Sequence, residues 1–423
     1  MRPVASHLLS LSLVLLAACG PGPVQVDQAK SDLSRQLQPQ VPAADAAELA
    51  AGNTAFAADL FRVVRGSGNT MVSPHSISLA LAMTWAGARG ETETAMAGAL
   101  RFTLPQDRLH PAFDQLDLAL SSRGQGATGK DGKPFRLNIV NAAWGQKDYS
   151  FEKAYLDTLA VNYGAAMNLL DFRAEPEPSR QTINLWVEQE TENRIKDLIP
   201  RDGVSGGTRL VLTNAVYFNA SWQTKFKKER TRDAAFQLAS AGPVQVPTMV
   251  GEVDGWHADT AEYTAAQLPY QGGEIAMVVV LPKAATLEAF EATLDGAKLQ
   301  SIAAALSPEA MQVQLPKFSF EGKSRLKDAL TTLGMGVAFG DTADFSGIHQ
   351  PSELSIAEVI HQTFVAVDEE GTEAAAATAV ILDERTSVAT ELKVDRPFLF
   401  FIRDRATGSA LFIGQLVAPP RAK

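Results

Sequence analysis

Residues 368–387 read DEEGTEAAAATAVILDERTS, and residues 392–402 read LKVDRPFLFFI. The first run opens on Asp368, Glu369 and Glu370 and passes through Gly371. It then continues in alanine and threonine with no bulky side chain before Val380, and closes in a polar patch that carries Arg385. The second run is apolar and strand-like, so it must be buried. A small-residue segment tied between buried elements has two physical readings. Alanine is the best helix former, so the segment can be a plain helix or linker. It can equally be a loop able to enter a sheet, because small side chains at alternate positions clear both faces of a pleated strand. On that second reading Thr372, Ala374, Ala376 and Thr378 share one face, which holds neither charge nor proline. Glu373 and the intervening alanines take the other face, and Gly371 supplies the freedom to turn.

Residue for residue, Glu369, Glu370, Gly371, Thr372, Glu373, Ala374, Ala375, Ala376 and Ala377 resemble the hinge of an inhibitory serpin. VDRPFLFFI, 394–402, resembles the C-terminal signature of that family. Further stretches follow in the family's order: VSPHSISLALAMTWAGARGETETAM (72–96), LTNAVYFNASW (212–222), LPKFSFEGKSRLKDALTTLGM (315–335), ADFSGI (343–348) and LSIAEVIHQTFVAVDEEGTEA (354–374). Each is weak alone, and the ordered set is specific. The resemblance implies an α+β serpin fold, with helices packed around three mainly antiparallel β-sheets and an exposed reactive-centre loop near 369–392. The expected domain covers 48–423.

The resemblance also implies roles. Counted from Glu369 at the family's usual spacing, the bait bond falls at Arg385–Thr386, with one residue either way left open. Arginine there suits a protease with an acidic specificity pocket, since guanidinium pairs bidentately with carboxylate. Asp383 and Glu384 just before it narrow the target set. Ser73, Ser76, Asn214 and His361 match the polar cluster beneath the point where the main sheet parts, with a His361–Asn214 hydrogen bond expected. Trp222 matches the residue at the top of the sheet where insertion begins; without the family context it is simply core. The implied action is irreversible suicide inhibition: attack at Arg385, an acyl-enzyme, then loop insertion. Serpin insertion is itself a standard example of strand addition and stored strain. The alternatives are a non-inhibitory binding or chaperone-like protein, or a cysteine-protease target. An enzyme is not expected. Ser324 and Lys327 match S-x-x-K without a K-T-G companion, and no G-x-S-x-G, H-E-x-x-H or paired-cysteine motif occurs.

The N-terminus carries Arg2 and then an apolar stretch from Leu8 to Ala18, too short to span a bilayer. It closes in Leu16-Ala17-Ala18-Cys19, which resembles a bacterial lipobox. Cys19 is the single cysteine, so no internal disulfide can form. A lipoprotein signal over 1–18 and lipidation at Cys19 are therefore expected, against an ordinary secretory leader with an incidental cysteine. Gly20 in place of aspartate implies outer-membrane delivery in a Gram-negative host. Residues 19–47, rich in Gln, Pro, Ala and Asp, read as a flexible tether.

Formal net charge is −10 and 46% of residues are hydrophobic. An acidic chain is a poor nucleic-acid ligand. The expected partners are a target protease in covalent complex and a membrane through Cys19, with the chain itself a monomer. No cofactor or metal is expected, and the helix after Pro105, bearing Asp107, Asp114 and Asp117, argues against a heparin-type activator. The basic run Lys225, Lys227, Lys228, Arg230 and Arg232 reads as a solvated edge, or else as a docking patch for an acidic partner. Periodicity predicts helices over Asn53–Arg65, Ile77–Ala88 and Ile183–Leu198. Strands are predicted over Leu137–Trp144, Leu210–Phe218, Ile275–Leu281, Met311–Phe320, Thr363–Val367 and Phe398–Ile402, with an exposed connection over Ser121–Pro134.

Overall fold

The structure is a computed structural model that describes residues 24–129, 132–239, 241–283, 285–351, 354–372 and 390–419. Its helices are α1 (Ala43–Val64), α2 (Pro74–Trp85), α3 (Gly90–Leu100), α4 (Gln106–Ser121), α5 (Lys153–Tyr163), α6 (Pro176–Glu190), α7 (Leu287–Ala292), α8 (Gly296–Ala305) and α9 (Lys327–Leu330). The first eight strands are β1 (Asp27–Ala29), β2 (Thr70–Val72), β3 (Arg136–Gln146), β4 (Met167–Leu170), β5 (Leu210–Ser221), β6 (Arg232–Phe236), β7 (Val244–Asp259) and β8 (Tyr263–Pro269). The remainder are β9 (Ile275–Pro282), β10 (Ser307–Pro316), β11 (Phe318–Arg325), β12 (Val359–Val367), β13 (Gly371–Thr372), β14 (Thr390–Lys393), β15 (Phe398–Asp404) and β16 (Ala410–Leu416).

Among the described residues the strands join in two hydrogen-bonded sheets. The seven-stranded sheet runs β1-β4-β3-β5-β13-β12-β11, and β5 also pairs directly with β12. The nine-stranded path holds the rest, with β6 attached through β7. The long β7 pairs with β10 and β6 along much of its length and with β8 at its C-terminal end, so two of the three expected sheets are continuous through it. Most pairings are antiparallel; β10–β14, β3–β4 and β5–β12 are parallel.

Chemistry explains where elements start and stop. The predicted strand 311–320 is two strands that belong to different sheets. Pro316 has no amide hydrogen for the ladder, and the next amide, Lys317, donates to Pro247 O at 2.9 Å. The helix predicted to reach Leu198 ends at Glu190, because Glu192 and Asn193 adopt positive φ. The Asn184 side chain then holds both the amide and the carbonyl of Ile199, at 2.8 and 2.9 Å. α2 is buried along its whole length, as a helix apolar on every side should be.

The tether expectation needs correcting from residue 24 onward. β1 pairs three residues with the β4 edge, and Gln36 N donates to Val161 O at 2.9 Å. Arg35 forks onto Asp114 at 2.8 Å and Asp117 at 2.6 Å. α1 starts at Ala43, so the packed domain begins well before residue 48. Backbone pairing and charge-assisted bonds to two fixed carboxylates order a stretch whose composition suggests disorder.

Candidate functional site

β5 and β12 lie side by side and parallel from Val359↔Leu212 to Phe364↔Tyr217. Beyond that they part. Asp368 and Gly371 bond each other's backbone across a tight turn at 3.0 and 3.3 Å, and the chain comes back as β13 between the two strands. Thr372 pairs with Val367 on β12 and with Ala220 on β5, while Gly371 faces Ser221. Gly371 is required here: its φ is +152°, and a Cβ would lie 2.1 Å from Ala220 O.

Thr372 is buried, and its hydroxyl meets the Tyr270 hydroxyl at 2.8 Å. Burial pushes the Tyr270 phenol above its ordinary range, with the Thr372 bond opposing. The Trp222 indole stacks on Tyr270 at 4.6 Å and 7°, and its N–H donates to Asp368 O at 2.9 Å. The amides of Trp222 and Phe226 donate to Glu370 O and Glu369 O, both at 2.9 Å.

The two turn carboxylates are held by cations. Glu369 accepts from Lys317 Nζ and Thr231 Oγ1, each at 2.7 Å. Burial works to raise the Glu369 carboxyl; the Lys317 and Thr231 bonds outweigh it and leave the group below its usual range. Glu370 lies 2.8 Å from Lys225 and 3.5 Å from Lys228. Part of the basic run is therefore the counter-charge of the turn, an assignment its sequence context did not suggest.

Deeper along the same seam, His361 on β12 is in register with Asn214 on β5. Ser73 N donates to His361 Nε2 at 2.9 Å, so the ring proton of the neutral imidazole sits on Nδ1 and is donated to Asn214 Oδ1. Burial pushes His361 down to about 3, which keeps it neutral. Asn214 Nδ2 donates to Asn141 Oδ1 at 2.6 Å and to Ser76 Oγ. Ser76 Oγ donates in turn to Asn141 Oδ1 at 3.0 Å. Ser73 stands just before α2, where a serine would ordinarily cap the helix. Its hydroxyl instead bonds Leu411 O at 2.7 Å.

The fold thus gathers Ser73, Ser76, Asn214 and His361 in one buried cluster, and Glu369, Glu370, Gly371, Thr372 and Trp222 in another at the parting of β5 and β12. Glu373, Ala374, Ala375, Ala376 and Ala377, the Arg385–Thr386 bond and Cys19 lie outside the described residues. Sequence reasoning missed Asn141, Tyr270, Lys317 and Thr231. The isolated Asn141 in an apolar strand was a signal for a buried polar contact. The other three become legible only through their partners.

The family profile described as Serpin (serine protease inhibitor) matches residues 51–419. A serpin-like protein of Thermococcus kodakarensis is 39% identical over 369 residues, covering 86% of this chain and 84% of its own. The leukocyte elastase inhibitor of Bos taurus is 37% identical over 386 residues, covering 88% of this chain and 100% of that protein. Among solved structures, the thermophilic serpin tengpin in its native state superposes with a TM-score of 0.81 at 27% identity, over 93% of this chain and 100% of that one. Human thyroxine-binding globulin gives 0.79 at 28%, over 89% and 100%. With a profile match over residues 51–419, and with the two-sheet architecture above, the protein belongs to the serpin family.

Proposed function

We propose that this serpin is an irreversible inhibitor of an arginine-specific, trypsin-like serine protease, consumed by a single cleavage at Arg385–Thr386 and tethered to the bacterial envelope by lipid on Cys19. One observation carries the inhibitory reading: Gly371 and Thr372 already occupy the gap between β5 and β12 at the head of the alanine run. The protease hydroxyl would attack the Arg385 carbonyl, Thr386 would leave as the free amine, and an ester would hold the two proteins together. The freed run could then continue the strand that β13 begins.

Such a strand must separate β12 from β5. Adjacent strands lie about 4.8 Å apart, so His361 and Asn214 would move to about twice that and lose their bond. Ser76 and Asn141 would remain to satisfy Asn214. The closed seam is therefore held by a polar cluster that can be re-paired, while each inserted residue adds ladder hydrogen bonds and buries small side chains.

The test mixes the mature protein with trypsin under denaturing electrophoresis. A covalent band near the summed masses, absent with Arg385→Ala, is expected. Clean loop cleavage with full trypsin activity would instead support a binding or chaperone-like serpin, and a band with a papain-type enzyme alone would redirect the target class. Tagged palmitate should label the wild type and not Cys19→Ala.

A further inference from the structure

We infer that Lys227, Arg230 and Arg232 form a docking surface for the target protease, one that favours an enzyme whose surface around the active site is acidic. The inference deepens the inhibitor reading above and rests on it. The basic run divides once its partners are assigned. Lys225 and Lys228 lie 2.8 and 3.5 Å from Glu370 and hold the turn. Lys227, Arg230 and Arg232 make no ion pair or side-chain hydrogen bond among the described residues, and both arginines are exposed.

The acidic neighbours are too few to cancel them. Glu229 stands within the run, and Asp233 follows it on β6. Successive side chains of a strand leave from opposite faces, so Asp233 and Arg232 point apart. The segment of β7 paired with β6, Val244 to Thr248, carries no charge. Counting both acids, cations remain in excess, on a chain whose formal net charge is −10.

Placement identifies the occupant. Thr231, between the two arginines, donates its hydroxyl to Glu369 at 2.7 Å, and Thr372 lies three residues further on. The patch therefore stands at the N-terminal foot of the bait segment. The C-terminal foot is β14: Thr390 is level with Met311 and Met311 with Val253, while Arg232 is level with Thr248. Five residues along β7 and three strand spacings across the sheet separate Thr390 from Arg232, roughly 22 Å in all. Arg385 precedes Thr390 by five residues, a reach of at most about 17 Å. A protease of about 220 residues has a radius of gyration of roughly 17 Å, and hence a diameter of about 44 Å. Seated on Arg385–Thr386, it overhangs the ground between the two feet, and the unpaired cations lie on that ground. Exposed charges at such a rim act on the association rate, raising it for a partner of opposite sign and lowering it for one of like sign, and salt screens the effect.

The experiment measures second-order rates of inhibition against two trypsins of the same arginine preference and opposite net charge, the anionic and the cationic isoenzyme. At low ionic strength, Arg230→Glu with Arg232→Glu should lower the anionic-to-cationic rate ratio at least tenfold, and high salt should remove most of the difference. Arg230→Gln with Arg232→Gln, which adds no carboxylate, should shift the ratio the same way by a smaller factor. The control is Lys147→Glu with Arg173→Glu, two exposed cations at the opposite end of β5, where Gly145 is level with Leu210 and Arg173 N bonds Gln146. It makes the same change in net charge and should move the ratio less than threefold. The stoichiometry of inhibition should stay constant throughout, because no variant touches the bait bond. An equal shift from the control pair, or no shift from either patch pair, overturns the docking surface and leaves the inhibitor reading intact. Failure of the unaltered protein to trap either trypsin covalently overturns the inhibitor reading, and the surface with it.

Discussion

Replacing Thr372 by arginine tests the central claim about the parted sheet. The Thr372 side chain is buried against Tyr270. Leaving a guanidinium unpaired there costs at least several kcal/mol. Vacating β13 gives up a few ladder bonds to Val367, Ala220 and Ser221 and the Tyr270 hydroxyl bond, roughly 3–5 kcal/mol at about 1 kcal/mol each. The two costs are comparable at the lower bound and favour vacating above it, so Thr372→Arg should draw Gly371 and Thr372 out of the sheet. Two readouts follow. The Trp222 indole, stacked on Tyr270 and bonded to Asp368 O, should change its emission, a change absent in a Trp222→Phe background. Trypsin should then cleave the variant as a plain substrate, with the covalent band reduced at least tenfold. Thr372→Val, which keeps shape and loses only the hydroxyl bond, should retain the band and destabilise by about 1–3 kcal/mol. Unchanged Trp222 emission together with full covalent trapping in Thr372→Arg would refute the reasoning.

Three further outcomes are expected. Glu369→Lys sets a cation against Lys317 and strands the Thr231 hydroxyl, so the thermal midpoint should fall by the equivalent of about 1–3 kcal/mol; partial recovery in the Lys317→Glu double variant checks the pairing. Asn141→Ala removes one acceptor of Asn214 and Ser76 in the buried seam and should cost about 1–3 kcal/mol by chemical denaturation, with an unchanged midpoint as the contrary result. His75, His110 and His361 are neutral because burial pushes them to about 4, 4 and 3, against 6.5 in the unfolded chain. The unfolded chain binds protons below pH 6.5 that the folded one refuses. Their contribution is therefore complete above pH 6.5 and is lost toward pH 4, at about 1.4 kcal/mol per pH unit for each. Thermal scans should show a falling midpoint across that window, and a level midpoint would count against it.

By itself the sequence determined the family and the α+β class, and it pointed to Ser73, Ser76, Asn214 and His361 and to the 369–372 turn, because these show in local chemistry. Only a glycine tolerates the backbone at 371, only small side chains can follow it into a sheet, and a histidine in an apolar strand signals a buried polar contact. Tertiary structure decided what depends on neighbours distant in the chain. It spends the Ser73 hydroxyl on Leu411 rather than on a helix cap, and turns Lys225 and Lys228 from a surface run into the counter-charge of Glu370. It turns the chain at Glu192 and Asn193 just after α6 and ties Asn184 to Ile199. It also orders residues 24–42, whose proline- and glutamine-rich composition carries no periodic signal. That ordering comes from an open edge on β4 and from two carboxylates on α4, and neither is adjacent to the strap in sequence.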